Sequence, residues 1–137
     1  MIDDLYAYAE NKGYEIYYMP IPASKGIALP GGAICLDQSF LFNGKTERTV
    51  LLHEIAHENR EAFYPLTANS EEIRRAEYRA RKESWKIGLP YSDLLVAIRN
   101  GIRTTWELAD FFGYEEQFIV SAIEYYKRQY GDFMTVN

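Results

Sequence analysis

The stretch LLHEIAH, residues 51–57, is the part of this sequence on which the fold prediction depends. Apolar residues recur along one side of a helix that the pattern predicts from Thr46 to about Ala62, with Thr46 as its N-cap. His53 and His57 are four residues apart, so their imidazoles lie on the same side of such a helix, about one turn apart. The spacing therefore predicts a helix whose two imidazole nitrogens can bind one zinc ion.

Glu54 follows His53 directly and is rotated from it by about 100° around the helix axis. From there its carboxylate can reach a water molecule at the metal without being a ligand, which is the position of a general base. The chain has 2 histidines, and both belong to this motif. Random placement gives this arrangement with a chance on the order of 1 in 1,000, which disfavours the alternative of two surface histidines.

A catalytic zinc site needs a third protein ligand and an open position. No histidine remains and Cys35 is the single cysteine, so the third ligand is expected to be a carboxylate. We prefer Glu77, because Ala76 and Ala80 would let its helix approach the metal-binding helix closely, and Glu72 is the reserve. The other candidates are first-turn or charged-face residues of the same predicted helix, Glu71 and Glu83.

The remaining elements indicate an α+β fold. Residues 2–11 predict a short helix, and residues 14–19, 26–29 and 33–36 predict the strands of a small N-terminal antiparallel sheet. Further helices are predicted at residues 70–87, capped by Ser70, and at 93–99, 106–112 and 115–130, with a capping box at Thr104. We expect a single domain over residues 1–137, with the sheet and metal-binding helices in 1–88 and a helical C-terminal subdomain in 89–137.

Composition excludes several functional classes. The formal net charge of −5 disfavours direct binding to nucleic acid, although the last two helices have helix-turn-helix spacing. Apolar stretches such as residues 94–98 are far too short for a membrane span. The lone cysteine and the absence of a secretory signal predict a cytoplasmic protein. A run of basic residues between Arg74 and Lys86 predicts a solvated helix face or, alternatively, a docking surface for an acidic partner or substrate.

The segment LLHEIAH (residues 51–57) followed by EYRA (residues 77–80) resembles the ImmA/IrrE family of zinc metallopeptidases. The similarity extends in order and spacing to KGY (12–14), ICLD (34–37), and LP with DL (89–90 and 93–94). One departure is Arg81, since similar sequences often have Asn or Asp four residues after the ligand glutamate. The residues that hydrogen-bond to the metal ligands and orient them are therefore unassigned.

The resemblance implies a zincin-like fold and a gluzincin-like site, with His53, His57 and Glu77 as Zn²⁺ ligands and Glu54 as the catalytic base. It also implies an endopeptidase of a phage or mobile element whose partner and substrate is a helix-turn-helix repressor. The alternative is a non-catalytic, metal-stabilised antirepressor that acts by complex formation.

Two features of catalysis stay open in the sequence. The donor to the oxyanion is undecided between Tyr64, Tyr78 and an arginine of residues 74–81. Peptide substrates commonly add a strand to a sheet edge, and residues 32–36 are the best placed candidate, with an ordinary core strand as the alternative.

Overall fold

The computed structural model describes residues 2–41 and 43–134, and it confirms the α+β class. Its elements in chain order are α1 (Leu5–Asn11), β1 (Glu15–Tyr18), β2 (Gly26–Leu29), β3 (Ala33–Leu36), a short 3₁₀ helix (Gln38–Phe40), α2 (Gly44–Arg60), α3 (Ser70–Gly88), α4 (Tyr91–Arg99), α5 (Thr105–Phe112) and α6 (Glu116–Tyr130).

The three strands form a sheet in the order β1-β3-β2. β2 and β3 are antiparallel and are joined through Gly31 and Gly32, whose positive φ angles of 97° and 94° suit glycine. β1, however, runs parallel to β3, with Ile16 opposite Ile34. The prediction of an antiparallel sheet is therefore wrong for this pair. The length of a strand and its alternation of apolar and polar residues do not encode which strand it pairs with.

Two helices are capped by an asparagine that precedes the predicted cap residue. Asn43 caps α2 and accepts a hydrogen bond from the Thr46 amide, so Thr46 is inside the helix and is not its N-cap. Asn69, and not Ser70, caps α3 in the same way. The first helix, predicted from residue 2, begins later than expected, at Leu5, with Asp4 as its N-cap. Thr104 is confirmed as the N-cap of α5, since its hydroxyl oxygen accepts from the Glu107 amide, while the Glu107 carboxylate accepts from the Thr104 hydroxyl and not from the backbone amide used in a full capping box.

The core lies between the inner face of the sheet and α2. Ile34 and Leu36 of β3 are fully buried, and so are Leu52 and Ile55 of α2. These side chains belong to one buried cluster that also includes residues of α4, α5 and α6. The cluster spans both predicted subdomains, and the division between residues 88 and 89 stays a prediction.

Small residues allow α3 to pack closely on α2. Ala56 of α2, Ala62 just after it and Ala80 of α3 form a separate cluster, and each is 0% exposed. Alanine side chains permit a short distance between helix axes. This close approach brings one face of α3 next to the two histidines of α2.

Buried tyrosines hold the junction between α3 and α4. The Tyr114 hydroxyl donates to the Gly88 carbonyl at 2.9 Å, and the Tyr126 hydroxyl donates to the Leu89 carbonyl at 2.8 Å. Each bond satisfies a carbonyl that the end of α3 leaves without a helical partner. Among the residues described, no helix combines the length and apolar character needed to span a membrane.

Gly88→Ala is expected to destabilise the fold strongly. A methyl group at this position would clash with the Leu52 side chain and approach the Tyr114 hydroxyl oxygen to 2.9 Å. Overpacking of this kind costs about 1–3 kcal/mol, and loss of the Tyr114 bond would add to it. Urea unfolding measures the change, and Gly44→Ala is the matched control because nothing lies within 4 Å of its added methyl. Equal stability of the two variants would contradict the packing described here.

Candidate metal centre

Two imidazoles and one carboxylate meet where α2 packs on α3. The His53 Nε2 and His57 Nε2 atoms are 3.1 Å apart. Glu77 reaches across from α3, with its Oε1 atom 3.2 Å from His53 Nε2 and its Oε2 atom 2.9 Å from His57 Nε2. The three residues that the sequence analysis selected as ligands therefore converge on one point.

These separations fit a single metal ion. In a tetrahedral site with metal–ligand distances of about 2.0–2.2 Å, neighbouring ligand atoms are about 3.3–3.6 Å apart. The observed spacings are within a few tenths of an ångström of that range, and all candidate ligand atoms lie within 4.8 Å of one another. His53, His57 and Glu77 can thus hold a metal ion.

The other ring nitrogen of His57 has a fixed partner. His57 Nδ1 lies 2.7 Å from the Ala62 carbonyl oxygen, and because a carbonyl oxygen can only accept, Nδ1 carries the proton and Nε2 is the atom that can coordinate. Ala62 is in place because Glu61 takes the left-handed conformation, with φ 48°, and turns the chain back over the end of α2. The support that the sequence left unassigned is therefore a backbone carbonyl, and a backbone atom gives no signal in sequence.

The charges within the cluster favour ionised Glu77. Hydrogen bonds from His53 and His57 hold the pKa of Glu77 well below its usual value, although burial acts in the opposite direction. Burial by itself would lower the pKa of His57, but its contacts with Glu77 and the Ala62 carbonyl outweigh burial and raise it. The carboxylate and the buried imidazole consequently stabilise each other when no metal is bound.

Glu54 lies beside this cluster and is 7% exposed. Burial raises the pKa of its carboxyl group above the ordinary value, while the neighbouring imidazoles and a hydrogen bond from the Ala28 backbone act against that rise. Glu54 is outside the group of residues that could share one ion, which contains His53, His57 and Glu77. It shares a cavity of about 440 Å³ with His53 and Glu77.

The alternative carboxylates lie elsewhere. Glu72 is exposed in the first turn of α3, where it favours the helix dipole, and it is not part of the ligand group. Glu71 pairs with Arg74 at 2.6 Å on the surface. Glu83 is not simply part of a charged face, because its carboxylate accepts a hydrogen bond from Asn59 of α2 at 3.1 Å.

The open edge of the sheet beside the cluster is β2. Residues 32–36 do not form an edge as proposed from the sequence, since β3 lies between β1 and β2. In an antiparallel pair, every second residue directs its amide and carbonyl towards the neighbouring strand. Because the Asp37 amide donates to the Lys25 carbonyl, Gly26 and Ala28 are the residues whose backbone groups point away from β3. A side chain at position 26 would meet Val50 and Glu54, so glycine here lets β2 approach α2.

Of the two tyrosines considered as oxyanion donors, Tyr64 lies within the electrostatic range of Glu77 and Glu54. Burial raises the pKa of its hydroxyl, and the charges of Glu77 and Glu54 raise it further, so the group stays protonated and can donate. Tyr78, by contrast, packs its ring against Trp85 with centroids 6.3 Å apart.

Comparisons of the chain with protein-family models, with curated proteins and with solved structures found no match.

Proposed function

We propose that the protein is a zinc-dependent peptidase. The observation that supports this proposal most directly is the convergence of His53, His57 and Glu77, with ligand atoms 2.9–3.2 Å apart. Two imidazoles and one carboxylate are a donor set that Zn²⁺ prefers, and three protein ligands leave a fourth position open, as catalytic zinc sites require.

A zinc ion held by these residues supplies Lewis acidity, which makes a water molecule more acidic and polarises the scissile carbonyl. Glu54 provides the proton transfers that hydrolysis needs. Its buried carboxylate accepts the proton of the attacking water and then delivers it to the leaving amine. The raised pKa of Glu54 suits both tasks, because it brings the group closer to neutral pH, where it can accept and release a proton.

The substrate backbone is proposed to pair with β2. Ala28 directs its carbonyl to the open edge, its amide donates to Glu54, and β2 packs on α2 beside Glu54. An extended peptide added as a strand there would pass the metal ligands. Tyr64 is our candidate for the donor to the oxyanion, because its protonated hydroxyl lies within the electrostatic range of Glu54 and Glu77.

The proposed substrate class is a protein, and the resemblance to the ImmA/IrrE family nominates a helix-turn-helix repressor. The second candidate function is a metal-stabilised binding module that captures such a repressor without hydrolysis. This second function rests on the same partly buried ligand cluster, which could bind metal solely to hold α2 to α3.

Metal removal and restoration test the proposal. The protein is stripped with a chelator, reloaded with zinc, and incubated with an unfolded protein such as reduced casein and with a helix-turn-helix repressor. We expect new peptide termini, identified by mass spectrometry, only in the zinc-loaded sample. A repressor retained by the loaded protein without any new terminus would reject hydrolysis and support the binding module.

Metal affinity and metal-free stability are expected to change in opposite directions with pH. The raised pKa of His57 stabilises the metal-free fold below about pH 6.5, and that contribution is lost as pH rises through the raised value. The lowered pKa of Glu77 contributes above about pH 4.5 and is lost only at lower pH. Zinc requires the neutral imidazole, so its affinity rises while the metal-free protein loses this stabilisation.

Thermal unfolding with and without zinc, from about pH 5.5 to pH 8, measures both trends. We expect the zinc-induced increase in Tm to grow with pH, and Glu77→Ala is the control that should abolish the dependence. A zinc-induced shift that is independent of pH would contradict the role of His57.

A further inference from the structure

The cavity lined by His53 and Glu77 extends well past these two candidate ligands. It continues between α2, α3 and the beginning of α6, with a volume of about 440 Å³. His53, Glu54 and Glu77 occupy one part of its wall. The rest of the wall includes Ser24, Thr49, Val50, Trp85, Gln117 and Phe118. A peptide bound at the metal would therefore place a neighbouring side chain or a chain terminus in this extension.

Two basic side chains line the same cavity. Arg81 lies one helical turn after Glu77 on α3, and Lys25 comes directly before β2. Within the described part of the chain, neither side chain makes a hydrogen bond or an ion pair with another residue. Arg74 and Arg75 of the same helix differ, since both lie within ion-pair distance of Glu71. Arg81 and Lys25 thus bring two uncompensated positive charges to the cavity.

The acidic groups of the cavity do not neutralise this pair. Glu77 is engaged by both imidazoles, and Glu54 is buried beside them. Glu115 is the third acidic residue of the wall, and it is the N-cap residue of α6, where a negative charge favours the helix dipole. None of the three carboxylates forms an ion pair with Arg81 or Lys25 in the described structure.

We propose that Arg81 and Lys25 form a subsite that binds a carboxylate of the substrate. The inference rests on the proposed peptidase function and specifies the substrate class of that site. Arginine and lysine at the rim of a partly enclosed cavity form charge-assisted hydrogen bonds with a carboxylate, and arginine can do so with two parallel bonds. The carboxylate belongs to an Asp or Glu side chain or to the C-terminus of the chain being cut.

Cleavage of matched synthetic peptides tests the subsite. Each peptide has a Glu, Gln or Lys at one position near the scissile bond, and each is made with a free and with an amidated C-terminus. We expect the zinc-loaded protein to cut the Glu peptide about tenfold faster than the Gln peptide, a difference equivalent to about 1.4 kcal/mol. A preference that follows the free C-terminus, and not the Glu, identifies the terminal carboxylate as the ligand. The preference should weaken as salt is raised, since the two basic groups are solvent-accessible.

Charge reversal supplies the decisive comparison. Arg81→Glu combined with Lys25→Glu should transfer the preference from Glu to Lys peptides, measured as the ratio of the cleavage rates of the two peptides. Arg79→Glu is the matched control, because Arg79 is exposed on the same helix but does not line the cavity. It should leave the preference unchanged.

Three outcomes would overturn the subsite. The first is that the unmodified protein cuts Glu and Gln peptides at equal rates and is insensitive to the C-terminus. The other two concern the charge-reversed variant, which would either retain the preference for Glu or lose the same fraction of its rate on all peptides. The last would assign Arg81 to the chemical step. If no peptide is cut, the peptidase proposal fails, and the subsite is then judged by fluorescence anisotropy of labelled Glu and Gln peptides. Equal affinities of the zinc-loaded protein for the two, with free and with amidated termini, would overturn it independently.

Discussion

Glu54→Gln is expected to lower peptide hydrolysis by about 10²–10⁴-fold, the range over which a positioned general base accelerates a reaction. The amide keeps nearly the same size and can still accept a hydrogen bond, but it cannot take up a proton at neutral pH. Because Glu54 is outside the ligand group, zinc content should be unchanged. Steady-state cleavage and metal analysis of the same preparation measure both properties.

Glu47→Gln is the matched control for this substitution. Glu47 is on the same helix, and its carboxylate accepts a hydrogen bond from the Tyr6 hydroxyl at 3.0 Å, which a glutamine can also accept. Its hydrolysis rate should equal that of the unmodified protein. If Glu54→Gln retains full activity, Glu54 is not the base. If neither protein cleaves but both inactivate a repressor, the binding-module alternative replaces the peptidase.

Glu77→Ala is expected to remove most of the affinity for zinc. Structural zinc sites bind with about 10–16 kcal/mol through four ligands, so one ligand accounts for roughly 2.5–4 kcal/mol, or about 10²–10³-fold in affinity. The loss also leaves His53 and His57 without the carboxylate that lies 3.2 Å and 2.9 Å from their Nε2 atoms. Competition with a chromogenic chelator measures the affinity, and the zinc-induced Tm shift should shrink in parallel.

Glu72→Ala distinguishes the two carboxylates that the sequence left as ligand candidates. Glu72 is exposed in the first turn of α3, so its removal should cost only about 0.3–1 kcal/mol of helix-dipole stabilisation and leave zinc affinity intact. Zinc affinity that falls in Glu72→Ala and persists in Glu77→Ala would reverse the assignment of the third ligand.

Much of the candidate site follows from helix periodicity. The spacing of His53 and His57 places two imidazoles on one side of α2 wherever that helix lies, because the relation is local to one turn. Glu77 was also accessible to sequence reasoning, since Ala80 marks the side of α3 that packs on α2. Helix ends were predicted less well: both asparagine caps, Asn43 and Asn69, precede the residues that the pattern favoured.

The features that the sequence did not reveal involve residues distant in the chain or atoms of the backbone. β1 pairs parallel with β3, which places β3 in the centre and β2 at one edge, and this order is decided by packing across the whole sheet. The partner of His57 is the Ala62 carbonyl, which every residue type possesses. Arg81 and Lys25 are far apart in sequence and share a cavity only because β2 and α3 both pack on α2.

The sequence by itself determined the α+β class, the helix that carries both histidines, and the residue types able to bind a metal ion, because these depend on composition and on contacts within a turn or two. Tertiary structure alone decided the direction and order of the strands, the backbone support of His57, and the charged extension of the cavity. Such features arise when elements far apart in the chain are packed together, and local patterns of polarity do not encode which elements become neighbours.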